Sequence, residues 1–158
     1  MSLPDADTPP EHWRYARHLE SLAAVPDGNA EAEAEVVTAV LGDPDRVMAE
    51  AAVVTHLDRR AVGLLADDGY TDWARAMADV LAGRAFPERR LREWSLLGAV
   101  TRGELWSAAE LTGASDWCQR TAVRLLGSHE ALELLAADAR TRRVRNAAAE
   151  RLRRGTVA

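Results

Sequence analysis

The residue types that could carry chemistry are few in this chain and poorly spaced for it. The four histidines, His12, His18, His56 and His129, include no pair three or four residues apart, the spacing that would put two imidazoles on one helical face for a metal. The single Cys118 can form neither a thiolate cluster nor an intrachain disulfide, and its inward position in a stripe with Ala122 and Leu126 makes it a small hydrophobe. No Gly-x-Ser-x-Gly elbow supplies a nucleophile. "DPD" at 43–45 and "DDG" at 67–69 lack the spaced oxygens of a calcium loop and read as a helix cap and a turn. Glu31, Glu33 and Glu35 read as a solvated first turn that complements a helix dipole, not as an acid/base pair. All 20 basic residues are Arg, so phosphate loops built on Lys, Schiff-base chemistry and pyridoxal phosphate are closed to the chain. No catalytic residue, metal or cofactor is therefore expected.

What remains is Arg and Trp. Five Trp stand against one Phe and two Tyr. Trp13, Trp73 and Trp94 share helical stripes with small and apolar residues and are expected to fill core between alanines. Trp106 and Trp117 are the best candidates for exposed aromatics, Trp117 having Arg120 and Arg124 near it. Net charge is −5, unevenly placed. Residues 1–79 hold 6 Arg against 16 acids, net −10, and residues 80–158 hold 14 Arg against 9, net +5. Such asymmetry steers a partner or reflects solvated faces.

The elements that must position these residues are helices. Thr8 with Glu11, Asn29, Asp43 with Pro44, Thr71, Pro87, Ser115, Ser128 and Thr141 each open an apolar-periodic segment, and Asp58 is expected to cap a short separate one, "RRAVGLLA". "ELWSAAELTG" makes another short segment. No stretch sustains strand-like alternation, so about nine helices joined by tight links are expected. The length suits one domain, 1–158, with 1–7 a flexible N-terminus. "MSLPDADTPP" is acidic and Pro-rich where a secretion signal is basic then apolar, and no apolar run nears the ~18 residues of a membrane span. With a lone Cys this points to the cytoplasm. The missing Lys and an Ala content of about a fifth suggest a GC-rich coding genome of the actinobacterial kind.

Small residues recur along alternate helices. The triads Val47, Ala51, Thr55; Cys118, Ala122, Leu126; and Val144, Ala148, Leu152 share four-residue spacing, with Leu91, Ser95, Ala99 a fourth. The anchors Leu91, Cys118 and Val144 are 27 and 26 residues apart. This pattern, closest in "ELLAADARTRRVRNAAAERL", resembles HEAT or armadillo-like repeats over about three-quarters of the chain. The repeats are shorter than the usual ~40 residues and vary in turn length. The resemblance implies an all-α fold, a short right-handed α-solenoid of stacked antiparallel helix pairs. "DARTRRVRNAAAERLRRG" then reads as a terminal capping helix with a polar outer face, not as a nucleic-acid arm.

In such a protein the second helices line a concave surface. Its outward residues here are Arg46, His56, Arg90, Glu93, Trp117, Arg120, Arg124, Arg142 and Asn146. Arg and Trp supply much of the energy of protein interfaces, and Arg forks to carboxylates. The expected role is a non-catalytic scaffold that presents this surface to another protein, acidic or peptide-like, with neither nucleic acid nor membrane as partner. A second expectation comes from resemblance to HEAT-like alkylpurine DNA glycosylases, which set Trp, Asp and Arg in a cleft; Asp116, Trp117 and Arg120 are the matching types. A small ligand held between helices is a third.

Overall fold

The computed structural model describes residues 10–155. The Thr8 cap and the 1–7 tail lie outside them. Among the described residues there are nine helices and no strand: α1 Glu11–Ala23, α2 Ala30–Leu41, α3 Arg46–Leu64, α4 Tyr70–Leu81, α5 Ala85–Thr101, α6 Ala108–Thr112, α7 Asp116–Leu125, α8 His129–Asp138 and α9 Arg142–Gly155. No helix among them is long and apolar enough to cross a membrane. The residues divide into two compact units. One takes those up to Val62 with Thr71–Leu91; the other takes Gly63–Tyr70 and those from Arg92 onward.

The start signals act as read at four helices, α2, α7, α8 and α9, and Ser107 adds a cap at α6; Thr71 and Pro87 open no helix, since they lie inside α4 and α5, which begin at Tyr70 and Ala85. Asn29, Ser107, Ser115 and Ser128 each accept a backbone N–H from the third residue on, and Thr141 Oγ1 accepts from Val144 N. At α3 the cap moves two residues. Asp43 Oδ1 accepts from Asp45 N at 2.8 Å, Asp45 Oδ1 accepts from Met48 N at 3.1 Å, and Asp45 is the residue that closes the helix start. Asp58 opens no helix. It lies within the 19-residue α3, and its carboxylate pairs with Arg90 at 3.1 Å. Gly83 and Gly103, at φ +85° and +71°, end α4 and α5 in the left-handed region where other residues are strained.

In the first unit the core forms from Leu22, Val37, Ala52, Val53, Leu57, Trp73, Met77 and Leu81. Two expected stripes are displaced. Val47 is 81% exposed, and the buried rows of α3 are Met48, Ala52, His56 and Ala49, Val53, Leu57. In a helix built of Val and Ala, three adjacent rows satisfy the same spacing, so periodicity alone does not choose among them. Trp13 is 60% exposed. The face of α1 turned to the unit is set instead by Leu22 and by polar hooks: Tyr15 OH bonds Thr55 Oγ1 at 3.4 Å, and Arg14 Nε and His18 Nε2 reach Asp43 at 3.2 and 2.9 Å. Burial opposes the Asp43 charge, but these bonds and the Asp45 N–H outweigh it and hold the carboxyl below its usual range.

In the second unit α6 lies against α8, α7 against α9, and α8 against α9. Cys118, Ala122, Leu126, Val144 and Ala148 are buried, as their stripes require, with Trp94, Leu97, Leu111 and Leu135 as large fillers. Arg140, just before α9, reaches the Ala114 carbonyl just before α7, while Arg151 near the end of α9 donates to the Val123 and Leu126 carbonyls at the end of α7. The two helices thus run side by side in the same direction. Gln119, fully buried, donates to the Leu111 and Thr112 carbonyls at the end of α6 and accepts from Arg140 N. Burial pushes the Tyr70 phenol up to about 12; its OH bonds Ser95 Oγ and its ring lies 4.8 Å beneath the Arg102 guanidinium.

Arginine has a recurring task in both units. Arg84 donates to the Leu41 carbonyl at the end of α2, Arg46 to Gly83 after α4, Arg102 to Leu65 after α3, and Arg145 to Ala139 after α8. With Arg151 at α7, these guanidiniums satisfy orphan carbonyls that a helix cannot satisfy itself. Most of these helices carry no basic residue in their own last turn.

Candidate functional site

Two places in the molecule concentrate chemistry. The first is a buried polar network in the first unit, built on α2, α3 and α4. Glu33 lies one turn before Val37 and two before Leu41, so a carboxylate occupies the apolar stripe of α2 and is 1% exposed. Expected on a solvated first turn beside Glu31 and Glu35, it is instead a core residue. Its Oε2 accepts from His56 Nε2 at 3.1 Å and Trp73 Nε1 at 2.6 Å, and its Oε1 accepts from Arg60 Nε at 3.0 Å. Burial alone would raise this carboxyl. Hydrogen bonds from His56 and Trp73 and the charge of Arg60 prevail, and hold it below the ordinary carboxyl value.

The network continues outward through His56. Arg59 Nη2 stands 3.0 Å from His56 Nδ1. A guanidinium can only donate, so Nδ1 is the acceptor and Nε2 carries the proton given to Glu33. The chain of contacts from Trp73 and Arg60 through Glu33 and His56 therefore orients Arg59. That residue lies on the wall of a cavity of about 320 Å³ between α1 and α3, with Leu19, Glu20, Leu22, Ala23, Thr55 and His56. Arg59 has no carboxylate partner among the described residues.

The second place is the surface of α7 and α9. On α7 the residues Cys118, Gln119, Thr121, Ala122 and Val123 are buried, and Asp116, Arg120 and Arg124 form the exposed stripe. On α9, Arg142, Arg143 and Asn146 are exposed. Arg120 bonds only the Asp116 carbonyl of its own helix among the described residues, and Arg124, Arg142 and Arg143 make no ion pair among them.

The nine residues expected on one surface divide accordingly. Arg120, Arg124, Arg142 and Asn146 are exposed in the second unit. Trp117 is half-buried, its ring edge-on to Trp94 at 5.2 Å between centroids. Glu93 is a correction: it is 8% exposed and caps the start of α7, accepting from Ser115 N at 2.8 Å and Ser115 Oγ at 2.7 Å. His56 is a second correction, being 3% exposed within the Glu33 network. In the first unit Arg46 is exposed and holds the Gly83 carbonyl and Glu50, while Arg90 pairs with Asp58. Trp106 is half-buried. Asp116, Trp117 and Arg120 follow one another on the first turns of α7, two of them exposed and the Trp turned to Trp94. Among the described residues no three His, Cys, Asp or Glu converge as a metal set would.

Sequence reasoning missed Glu33, Arg59, Arg60 and Gln119. The available signal was an acid at i with Val37 and Leu41 at i+4 and i+8, a polar residue in register with an apolar stripe. No protein-family model matches the chain, and neither a curated protein nor a solved structure shows significant similarity to it.

Proposed function

We propose that the chain is a non-catalytic binding module built of HEAT-like stacked hairpins, which offers the guanidinium surface of α7 and α9 to an acidic, peptide-like partner protein. The pairing of α6 with α8 and α7 with α9 in the second unit supports the stacked reading, since hairpins laid in register bring like helices together. One observation carries the choice of surface. Arg102, Arg140, Arg145 and Arg151 of the same unit are tied to backbone carbonyls, whereas Arg124, Arg142 and Arg143 stand exposed with no anion among the described residues. Their charge is available to carboxylates of another chain. The chain's single cysteine, the buried Cys118, supports a reducing compartment and hence the cytoplasm.

The test is fluorescence anisotropy with a labelled Glu-rich peptide, using the wild-type chain and the triple variant Arg120→Glu, Arg124→Glu, Arg142→Glu. The expected result is saturable, salt-sensitive binding that the variant loses by more than tenfold at unchanged helicity. Equal binding by the variant defeats the proposal. Equal competition by duplex DNA of the same charge would replace the peptide with a general polyanion.

A further inference from the structure

We propose that the cavity between α1 and α3 is a binding site for a small monocarboxylic acid with an apolar body, its carboxylate held by Arg59 and its hydrocarbon lying against Leu19, Leu22 and Ala23. The volume, about 320 Å³, falls at the lower end of the ~300–1,000 Å³ range of small-molecule clefts. The walls fit an amphipathic occupant. Leu19, Leu22 and Ala23 of α1 give one apolar side, and the polar groups of Thr55, His56 and Arg59 come from α3.

Arg59 is fitted to receive an anion for two reasons. Its known contacts are a neutral acceptor, His56 Nδ1, and the Leu22 carbonyl at 3.5 Å, both through Nη2. The Nε and Nη1 donors are thus left for a ligand, and the charge has no carboxylate to answer it among the described residues. The guanidinium is also oriented from behind. His56 is fixed by Glu33, and Glu33 by Trp73 and Arg60, a supporting shell that keeps the Nη2 edge turned to His56. Charge-assisted bonds of this kind contribute about 1.5–3 kcal/mol each, roughly ten- to a hundredfold in affinity. Glu20 on the same wall sets the charge of the ligand: a second anionic group would meet its carboxylate, so a monoacid is preferred over a diacid.

The experiment is calorimetric titration of the full chain with octanoate, mapped by amide shifts in the labelled protein. Octanol and suberate serve as ligands of the same length without a carboxylate and with a second one. Expected are one-to-one binding of octanoate, binding of octanol and suberate at least tenfold weaker, and shifts centred on Leu19, Ala23, Thr55 and His56. Arg59→Met, a change at an exposed residue, should weaken octanoate at least tenfold. Ala23→Phe, also at an exposed position, should fill the cavity and abolish binding while circular dichroism stays unchanged. Absence of saturation, equal affinity of Arg59→Met, or shifts centred on α7 and α9 would overturn the proposal. The last outcome would leave the peptide-binding reading standing.

Discussion

Replacing Glu33 by Gln changes one buried oxygen to an amide and removes one charge. The amide oxygen can keep the place of Oε2, accepting from His56 Nε2 and Trp73 Nε1. Its NH2 then faces Arg60 Nε, donor against donor, at a site where the carboxylate is 1% exposed. Losing a hydrogen bond to a charged group costs about 1.5–3 kcal/mol, and breaking a buried ion pair by removing one partner costs about 3–5 kcal/mol. Arg60 keeps Asp27 at 3.1 Å, but that carboxylate is largely in water and compensates weakly. A loss of about 3 kcal/mol follows, or a fall of roughly 6–12 °C in Tm for a chain of this size. The pH dependence has a definite sign. The Glu33 carboxyl is held lower in the folded chain than in the unfolded one, so its contribution is complete above 4.5 and is lost as pH falls through the lower folded value. Urea unfolding followed by circular dichroism and Trp fluorescence should show a wild-type advantage that is constant from pH 7 to about 5 and shrinks in acid. A deficit under ~1 kcal/mol at pH 7, or one that persists unchanged at pH 3, would refute the assignment of a charged, bonded carboxylate.

Two further substitutions test the second unit. Gln119→Leu keeps the volume but strips the Leu111 and Thr112 carbonyls and the Arg140 N–H of their partner; thermal unfolding should show a loss of about 2–4 kcal/mol, against near zero for Thr112→Ala, whose hydroxyl bonds its own helix. Gly98→Ala would set a methyl 2.6 Å from Arg102 Nη1, the atom that holds the Leu65 carbonyl, so Arg102 must swing away from Leu65; the lost bond, about 1–2 kcal/mol, is largely offset by about 1 kcal/mol of helix propensity in α5, so urea unfolding should show a net loss under about 1 kcal/mol, and Arg102→Ala should cost less in the Gly98→Ala background than in the wild type.

Helix starts were legible because Asn29, Ser115 and Ser128 satisfy their caps within three residues, a local bond that needs no tertiary partner. The stripes of α7 and α9 were legible because their polar and apolar faces differ sharply: Cys118, Ala122 and Val144, Ala148 against Arg120, Arg124 and Arg142, Arg143. In α3 that contrast is weak, and the row carrying Val47 was taken for the one carrying Met48 and His56. The polar core was illegible for another reason. Glu33 is tolerable inside only because Trp73, 40 positions away, and His56, 23 away, bring donors to it. Glu93 and Arg90 were read as outward for the same reason, their partners Ser115 and Asp58 lying 22 and 32 positions off. Sequence spacing sorts residues into rows along a helix, but it names neither the row that is buried where contrast is weak nor the distant group that makes burial of a polar residue affordable.

The guanidiniums that close helix ends bind the fates of segments far apart in the chain. Arg84 serves α2 from the far side of α4, and Arg151 serves α7 from the last helix, so loosening one segment uncaps another. An excised peptide corresponding to α2 or α7 would lose its terminal partner and fray. Arg151 meets the Val123 and Leu126 carbonyls through a single nitrogen, Nη1, so one side chain closes two acceptors at the end of α7. Melting within a unit should accordingly propagate from one helix end to the next instead of stopping at a loop.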